Sequence, residues 1–160
     1  MTTCIIFYSA TGNTRILARA AAKATGADLI EVKDRADYSR AMMYIRGIPR
    51  ARKGEEGEID PAEIDVSGYD LVAVGTPVWA FKPTPAANAI VSALRNGEGK
   101  QAIAFATSGG MPGDTLEMLT DRLRGRGMDV VGSVHVPERD LSGGKGAEPL
   151  IRLIRSASGA

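Results

Sequence analysis

The chain has 160 residues, with 20 Lys and Arg against 19 Asp and Glu, a formal net charge of +1. So even a balance gives no general pull toward nucleic acid or anionic lipid, and a 44% hydrophobic, 24% charged composition excludes wholesale disorder. The length fits one domain over residues 1–160, large enough to bury about 70% of the surface its unfolded chain exposes. One cysteine, Cys4, and one histidine, His135, exclude an intramolecular disulfide and argue against a zinc or iron–sulfur site. Met1-Thr2-Thr3 lacks the basic start and long apolar core of a secretion signal, and no run approaches the ~20 apolar residues of a membrane span. A reducing, cytoplasmic setting without membrane attachment is expected.

Short β-rich runs alternate with helical patterns. Cys4-Ile5-Ile6-Phe7-Tyr8 is the first predicted strand, with Cys4 a small buried hydrophobe. The loop Ser9-Ala10-Thr11-Gly12-Asn13-Thr14 follows and runs into a helix over residues 15–25, stopped by Gly26. Hydroxyls, a carboxamide and a glycine at a helix N-terminus suit an anion, because free N–H groups and the helix dipole point there. Asn13 stands where a Walker A loop needs Lys, which argues against an NTPase. Six residues after Cys4 stands Ala10, not the Arg of a phosphatase loop.

Leu29-Ile30-Glu31-Val32 is the second strand. The stretch 34–68 is the least defined: residues 38–48 suit a helix, and residues 53–58 a solvated loop. Between Arg40 and Lys53 lie five basic residues (Arg40, Arg46, Arg50, Arg52, Lys53) and no acid. They form either a solvated face answered by Glu55, Glu56 and Glu58, or a docking surface for an acidic partner or for dinucleotide phosphates.

Leu71-Val72-Ala73-Val74 is the third strand, followed by the loop Gly75-Thr76-Pro77-Val78-Trp79-Ala80-Phe81-Lys82-Pro83. Aromatics in such a loop have a use if a flat ligand stacks on them, and Trp79 is the first candidate, at ~1–3 kcal/mol per stacked ring; the alternative is that Trp79 simply covers the end of the core. A helix is expected over residues 83–94. Ala102-Ile103-Ala104-Phe105-Ala106 is the fourth strand, and the loop Ala106-Thr107-Ser108-Gly109-Gly110-Met111-Pro112-Gly113-Asp114 offers close backbone approach to a flat ligand. Asp114 and Glu117 look like a capping box opening a helix over residues 114–126. The last strand spans residues 130–136, where His135 reads as a structural residue far from any ligand. A glycine-rich connection (143–146) leads to a final helix after Pro149, with residues 156–160 a frayed tail.

Strands that read as continuous apolar runs are buried on both faces, which implies a three-layer α/β fold with a five-stranded parallel sheet. In the order 2-1-3-4-5 a ligand sits beyond the C-terminal ends of strands one and three, where all three loops converge. The order also occurs in phospho-receiver domains. Those need paired acids after strand one and an Asp after strand three, and Tyr8-Ser9 and Gly75-Thr76 stand there instead.

On these loops the chain resembles the flavodoxin-like family of FMN proteins along its whole length. Ser9, Ala10, Thr11, Gly12, Asn13 and Thr14 resemble the family's phosphate loop. Thr76, Pro77, Val78, Trp79, Ala80 and Phe81 resemble its second loop, whose aromatic stacks on the isoalloxazine. Thr107, Ser108, Gly109, Gly110, Met111 and Gly113 resemble its third, which holds the ring edge and pyrimidine. The resemblance implies an FMN-binding electron carrier between redox partner proteins, with no catalytic side chain and no metal. The alternative is an FMN-dependent NAD(P)H:quinone-type oxidoreductase. Two departures matter: the third loop carries Met111 where many flavodoxins have Tyr, and the +1 charge lacks their acidity.

Overall fold

The computed structural model describes residues 1–36, 38–143 and 145–159. Strands β1 (Thr3–Phe7), β2 (Asp28–Glu31), β3 (Leu71–Trp79), β4 (Gln101–Ser108) and β5 (Asp129–Pro137) form the central sheet. Its order is β2-β1-β3-β4-β5, all parallel, the expected 2-1-3-4-5. The sheet has one strand more than expected. Lys82–Pro83 folds back antiparallel on the end of β3, pairing Val78 with Pro83 and Trp79 with Lys82. Two-residue strand pairs lie outside the sheet, Lys33–Asp34 with Ile59–Asp60 and Ile64–Asp65 with Leu94–Arg95.

Alternate residues of each strand feed opposite layers. Ile5 and Phe7 of β1 pack with Ile103 and Phe105 of β4 against α1 (Asn13–Thr25) and a C-terminal helix, Glu148–Ala157. Cys4, Ile6, Val72 and Val74 point the other way. There they meet a helical run over residues 40–52 (α2), then α3 (Pro85–Ala93) and α4 (Thr115–Gly125). The C-terminal helix is therefore α5. Burial pushes the Cys4 thiol up to about 11, consistent with an inert core position. Among the described residues no helix is long and apolar enough to cross a membrane.

Local chemistry explains the helix limits. Gly26 closes α1 in the left-handed conformation, at φ 77°. Thr84 caps α3 by accepting the Ala87 N–H, so that helix begins at Pro85 rather than Pro83. Asp114 stands at the N-cap of α4, but its side chain makes no capping bond. Its carboxylate instead takes the Lys82 ammonium at 2.9 Å, a tertiary partner that replaces the expected capping box. The α2 run is not one regular helix. Arg40–Met42 and Ile48–Arg52 flank a π-helical turn, Met43–Gly47. Helix α5 continues through Ala157, past Arg155, because Ala157 packs on the core. Gly144 of the glycine-rich connection and the terminal Ala160 lie outside the described residues.

Gly75 shows how tightly the centre of the sheet is filled. A Cβ there would meet the Phe105 ring at 2.1 Å. Gly75→Ala is expected to destabilise the fold by ~1–3 kcal/mol through overpacking, read as a lower urea midpoint with an unchanged slope.

Candidate functional site

The parallel register ends β1, β3 and β4 on one edge of the sheet, and three loops leave from there. In the first, Gly12 adopts φ 99°, a left-handed conformation that suits glycine, and turns the chain into α1. Ser9 Oγ accepts the backbone N–H groups of Gly12 and Arg15, each at 3.2 Å. With its oxygen so engaged, the hydroxyl still has its own hydrogen to donate outward. Thr11 is exposed, and its Oγ1 accepts from Asn13 Nδ2 at 3.3 Å. The first-turn N–H groups of α1 have no partners within the helix. The Arg15 guanidinium grips Glu31 in a two-point pair, at 2.6 and 2.8 Å. That contact lowers the Glu31 pKa. Arg15 is thus already matched, and what the loop has left to offer an anion is N–H groups, hydroxyls and a carboxamide.

Thr14 differs from the rest of its loop. It is buried, and its hydroxyl lies 2.8 Å from the Thr107 hydroxyl of the third loop. This pair clasps the first loop to the third, so the Thr14 hydroxyl is already engaged.

The second loop is held from beneath. Thr76 is buried and its hydroxyl donates to the Pro77 carbonyl at 2.7 Å. The same oxygen accepts the Thr84 backbone N–H at 3.2 Å, so Thr76 shapes the loop rather than facing a ligand. Trp79 is also not where the sequence suggests. Its indole is 6% exposed and stands edge-on between Tyr8 and Tyr38, with ring centroids 6.1 and 5.1 Å away. Gly47 closes the remaining side: a Cβ there would sit 2.8 Å from the indole. The indole offers no open face for stacking, which corrects that assignment.

The exposed aromatic of this loop is Phe81, at 60%. Ala80 and Phe81 form the two-residue turn between β3 and Lys82–Pro83, with φ of 50° and 65°. Left-handed backbone at two successive non-glycine residues is strained and is characteristic of functional loops. Partners on the third loop hold it in place. Asp114 N–H donates to the Phe81 carbonyl at 3.0 Å, and Gly113, at φ 56°, lies so close that a Cβ would meet Phe81 Cβ at 2.2 Å.

In the third loop Thr107 and Ser108 are buried, whereas Gly109, Gly110 and Met111 are exposed, Met111 at 73%. The Gly110 N–H donates to Ser108 Oγ at 3.2 Å. Ser108 Oγ also lies 2.6 Å from His135 Nε2. His135 therefore touches the site, which corrects its reading as a remote structural residue. The available signal was its place at the C-terminal end of the last parallel strand, the end where this topology puts ligands.

The exposed set is thus Ala10, Thr11, Phe81, Gly109, Gly110, Met111 and Gly113, with Ser9, Gly12, Asn13, Val78 and Ala80 half-buried. Thr14, Thr76, Pro77, Trp79 and Thr107 are buried and build the frame, and Ser108, 5% exposed, lies at its border with the exposed Gly109-Gly110 backbone. Of the basic stretch, Arg50 is bound to Tyr38, Glu55 and the Glu56 carbonyl, whereas Arg40, Arg46, Arg52 and Lys53 are exposed.

The family model for flavodoxin matches residues 2–131. The chain belongs to the flavodoxin family. No curated protein matches the sequence. Among solved structures, a putative flavoprotein from Bacteroides eggerthii is similar at 21% identity and a TM-score of 0.76, over 99% of this chain and 98% of that one. A flavoprotein from Lactobacillus acidophilus, solved in complex with FMN, is similar at 21% identity and a TM-score of 0.65, over 84% and 92%. An NADH:FMN oxidoreductase in its apo form is similar at 18% identity and a TM-score of 0.63, over 98% and 88%.

The burial of Trp79 has a measurable consequence. Trp79→Ala is expected to cost ~3–5 kcal/mol of folding stability, the range for deleting a buried large aromatic. A chemical denaturation curve that stays within ~1 kcal/mol of wild type contradicts the buried placement.

Proposed function

We propose that this member of the flavodoxin family binds FMN at the edge where β1, β3 and β4 end, and carries electrons between redox partner proteins. The observation that supports the reading most is the donor set of the first loop. It offers helix N-terminal N–H groups, the outward hydroxyl of Ser9, Thr11 and the Asn13 carboxamide, beside an Arg15 already matched by Glu31. Such a set suits a phosphate monoester held by many hydrogen bonds rather than by one cation. The other two loops suit the rest of the molecule. Phe81 and Met111 present exposed apolar surface for a flat ring, and the exposed Gly109-Gly110 backbone presents polar groups for its edge. Bound there, FMN supplies one- and two-electron redox chemistry.

The chain's own residues position the group and control access to it. The clasp between Thr14 and Thr107 keeps the phosphate and ring ends of the site in register. The locked Ala80-Phe81 turn presents the aromatic already in place, which lowers the ordering cost of binding. Within the three loops the only charged side chains are Lys82 and Asp114, and they pair with each other at 2.9 Å. That leaves no free acid or base in the loops to move a proton at a substrate, which favours electron transfer over bond-making chemistry.

A second reading is an FMN-dependent NAD(P)H:quinone-type oxidoreductase. Met111 in place of a third-loop aromatic covers less of a ring face, and the exposed Arg40, Arg46 and Arg52 suit dinucleotide phosphates. One spectrum separates the two. FMN-supplemented, desalted protein is expected to stay yellow when NADH or NADPH is added anaerobically, and to bleach only with dithionite or a reductase. Bleaching within seconds establishes the reductase, and loss of all flavin on desalting defeats both readings. Phe81→Ala is expected to weaken FMN binding by ~1–3 kcal/mol, about tenfold to a hundredfold in dissociation constant, in a flavin-fluorescence titration.

A further inference from the structure

His135 lies two residues from the end of β5, and its Nε2 is 2.6 Å from Ser108 Oγ at the end of β4. The β4–β5 register aligns Val136 with Thr107 and Pro137 with Ser108. Ser108 Oγ also accepts the N–H of Gly110, so one hydroxyl joins the imidazole to the exposed backbone of the third loop. The imidazole is only half-buried. It lines an open groove of about 470 Å³ with Pro137, Arg139, Asp140 and Lys145, which lets solvent protons reach it.

We propose that His135 is the positioning residue of the third loop: through Ser108 it decides whether that hydroxyl's hydrogen is available to a ligand, and so makes FMN retention depend on pH. This rests on the FMN reading above. The argument is a count of hydrogens. Ser108 has one. In the Nδ1–H tautomer of the neutral imidazole Nε2 is bare, and the hydroxyl donates that hydrogen to His135. When Nε2 is protonated it donates to Ser108 Oγ, and the hydroxyl's own hydrogen is released for an acceptor. The pyrimidine edge of a flavin carries carbonyl acceptors. The protonated imidazole also places a positive charge directly behind the Ser108 hydroxyl.

The charged groups around the imidazole oppose one another. Arg139 disfavours its charge, and Asp140 and Lys145 line the same groove with opposite charges. Glu138 reaches the same loop, its Oε2 3.7 Å from where a Cβ on Gly109 would lie. From α5 the groove receives Pro149, which carries no charge. The balance depresses the His135 pKa below its ordinary value, with burial the larger cause and Arg139 the second. A ligand that favours the protonated form raises that pKa and in turn binds more tightly as pH falls through it.

His135 is the only histidine of the chain, so tag-free protein gives a single imidazole Hε1 signal by NMR. In the apo protein that signal is expected to titrate below ~6.5, and Ser108→Ala is expected to displace its midpoint. Adding FMN is expected to raise the midpoint by about one unit. By linkage, that equals about a tenfold fall in the FMN dissociation constant from about pH 8 to about pH 5 beyond what His135→Gln shows. The Gln variant retains a hydrogen-bonding partner for Ser108 but cannot titrate. It also cancels the second ionisation of the FMN phosphate, which falls near pH 6. A midpoint unmoved by both Ser108→Ala and FMN, or parallel pH profiles of wild type and His135→Gln, overturns the proposal. No FMN binding by either protein at any pH overturns the cofactor reading and this inference with it.

Discussion

The candidate site depends on the parallel ladder between β1, β3 and β4. Because Ile5 pairs with Ala73 and Ala73 with Ile103, the three strands run in register toward one edge, and the loops after them meet there. A parallel pair must be joined by a crossover, here a helix each time, so every strand returns to the same edge before it releases its loop. The two apolar layers that flank the sheet hold this register, since a one-residue slip would exchange the sets facing α1 and α3. Gly75 is part of the same constraint, because its missing Cβ is what admits Phe105 to the layer below the site.

On that frame the site is built from hydroxyls that do two different jobs. Thr14, Thr76 and Thr107 are buried, and a buried hydroxyl is costly unless it is paired. They pair with each other and with nearby backbone groups, and in doing so lock the loops together. Ser9 keeps a hydrogen to offer because its oxygen is already occupied by two backbone N–H groups. Ser108 lies between these cases, since its oxygen accepts the Gly110 N–H and also lies 2.6 Å from the His135 imidazole.

The second loop divides its aromatics in the same way. Trp79 is the larger apolar surface and is worth more inside, where Tyr8, Tyr38 and Gly47 surround it. Phe81 is left outside by a turn whose two central residues both hold left-handed backbone. The π-helical turn Met43–Gly47 belongs to this arrangement, because it brings Gly47 against the indole while Tyr44 and Ile45 stay exposed. Strain in the turn and irregularity in the helix are local costs offset by the packing of one tryptophan.

Much of the protein is legible in the chain itself. The continuous apolar runs at residues 4–8, 71–74 and 102–106 determine buried parallel strands, and Gly26 determines where α1 stops, because burial and backbone freedom are properties of local sequence. The phosphate-suited loop is legible for the same reason: its hydroxyls, carboxamide and glycine act through the helix end they precede. What only the tertiary structure decided is which side of a surface each residue takes. Whether Trp79 or Phe81 faces out, whether Thr14 meets a ligand or Thr107, and whether Asp114 caps its helix or binds Lys82 all depend on partners distant in sequence. His135 is the clearest case. Its neighbour Ser108 lies 27 residues away, and only the pairing of β4 with β5 brings the two together.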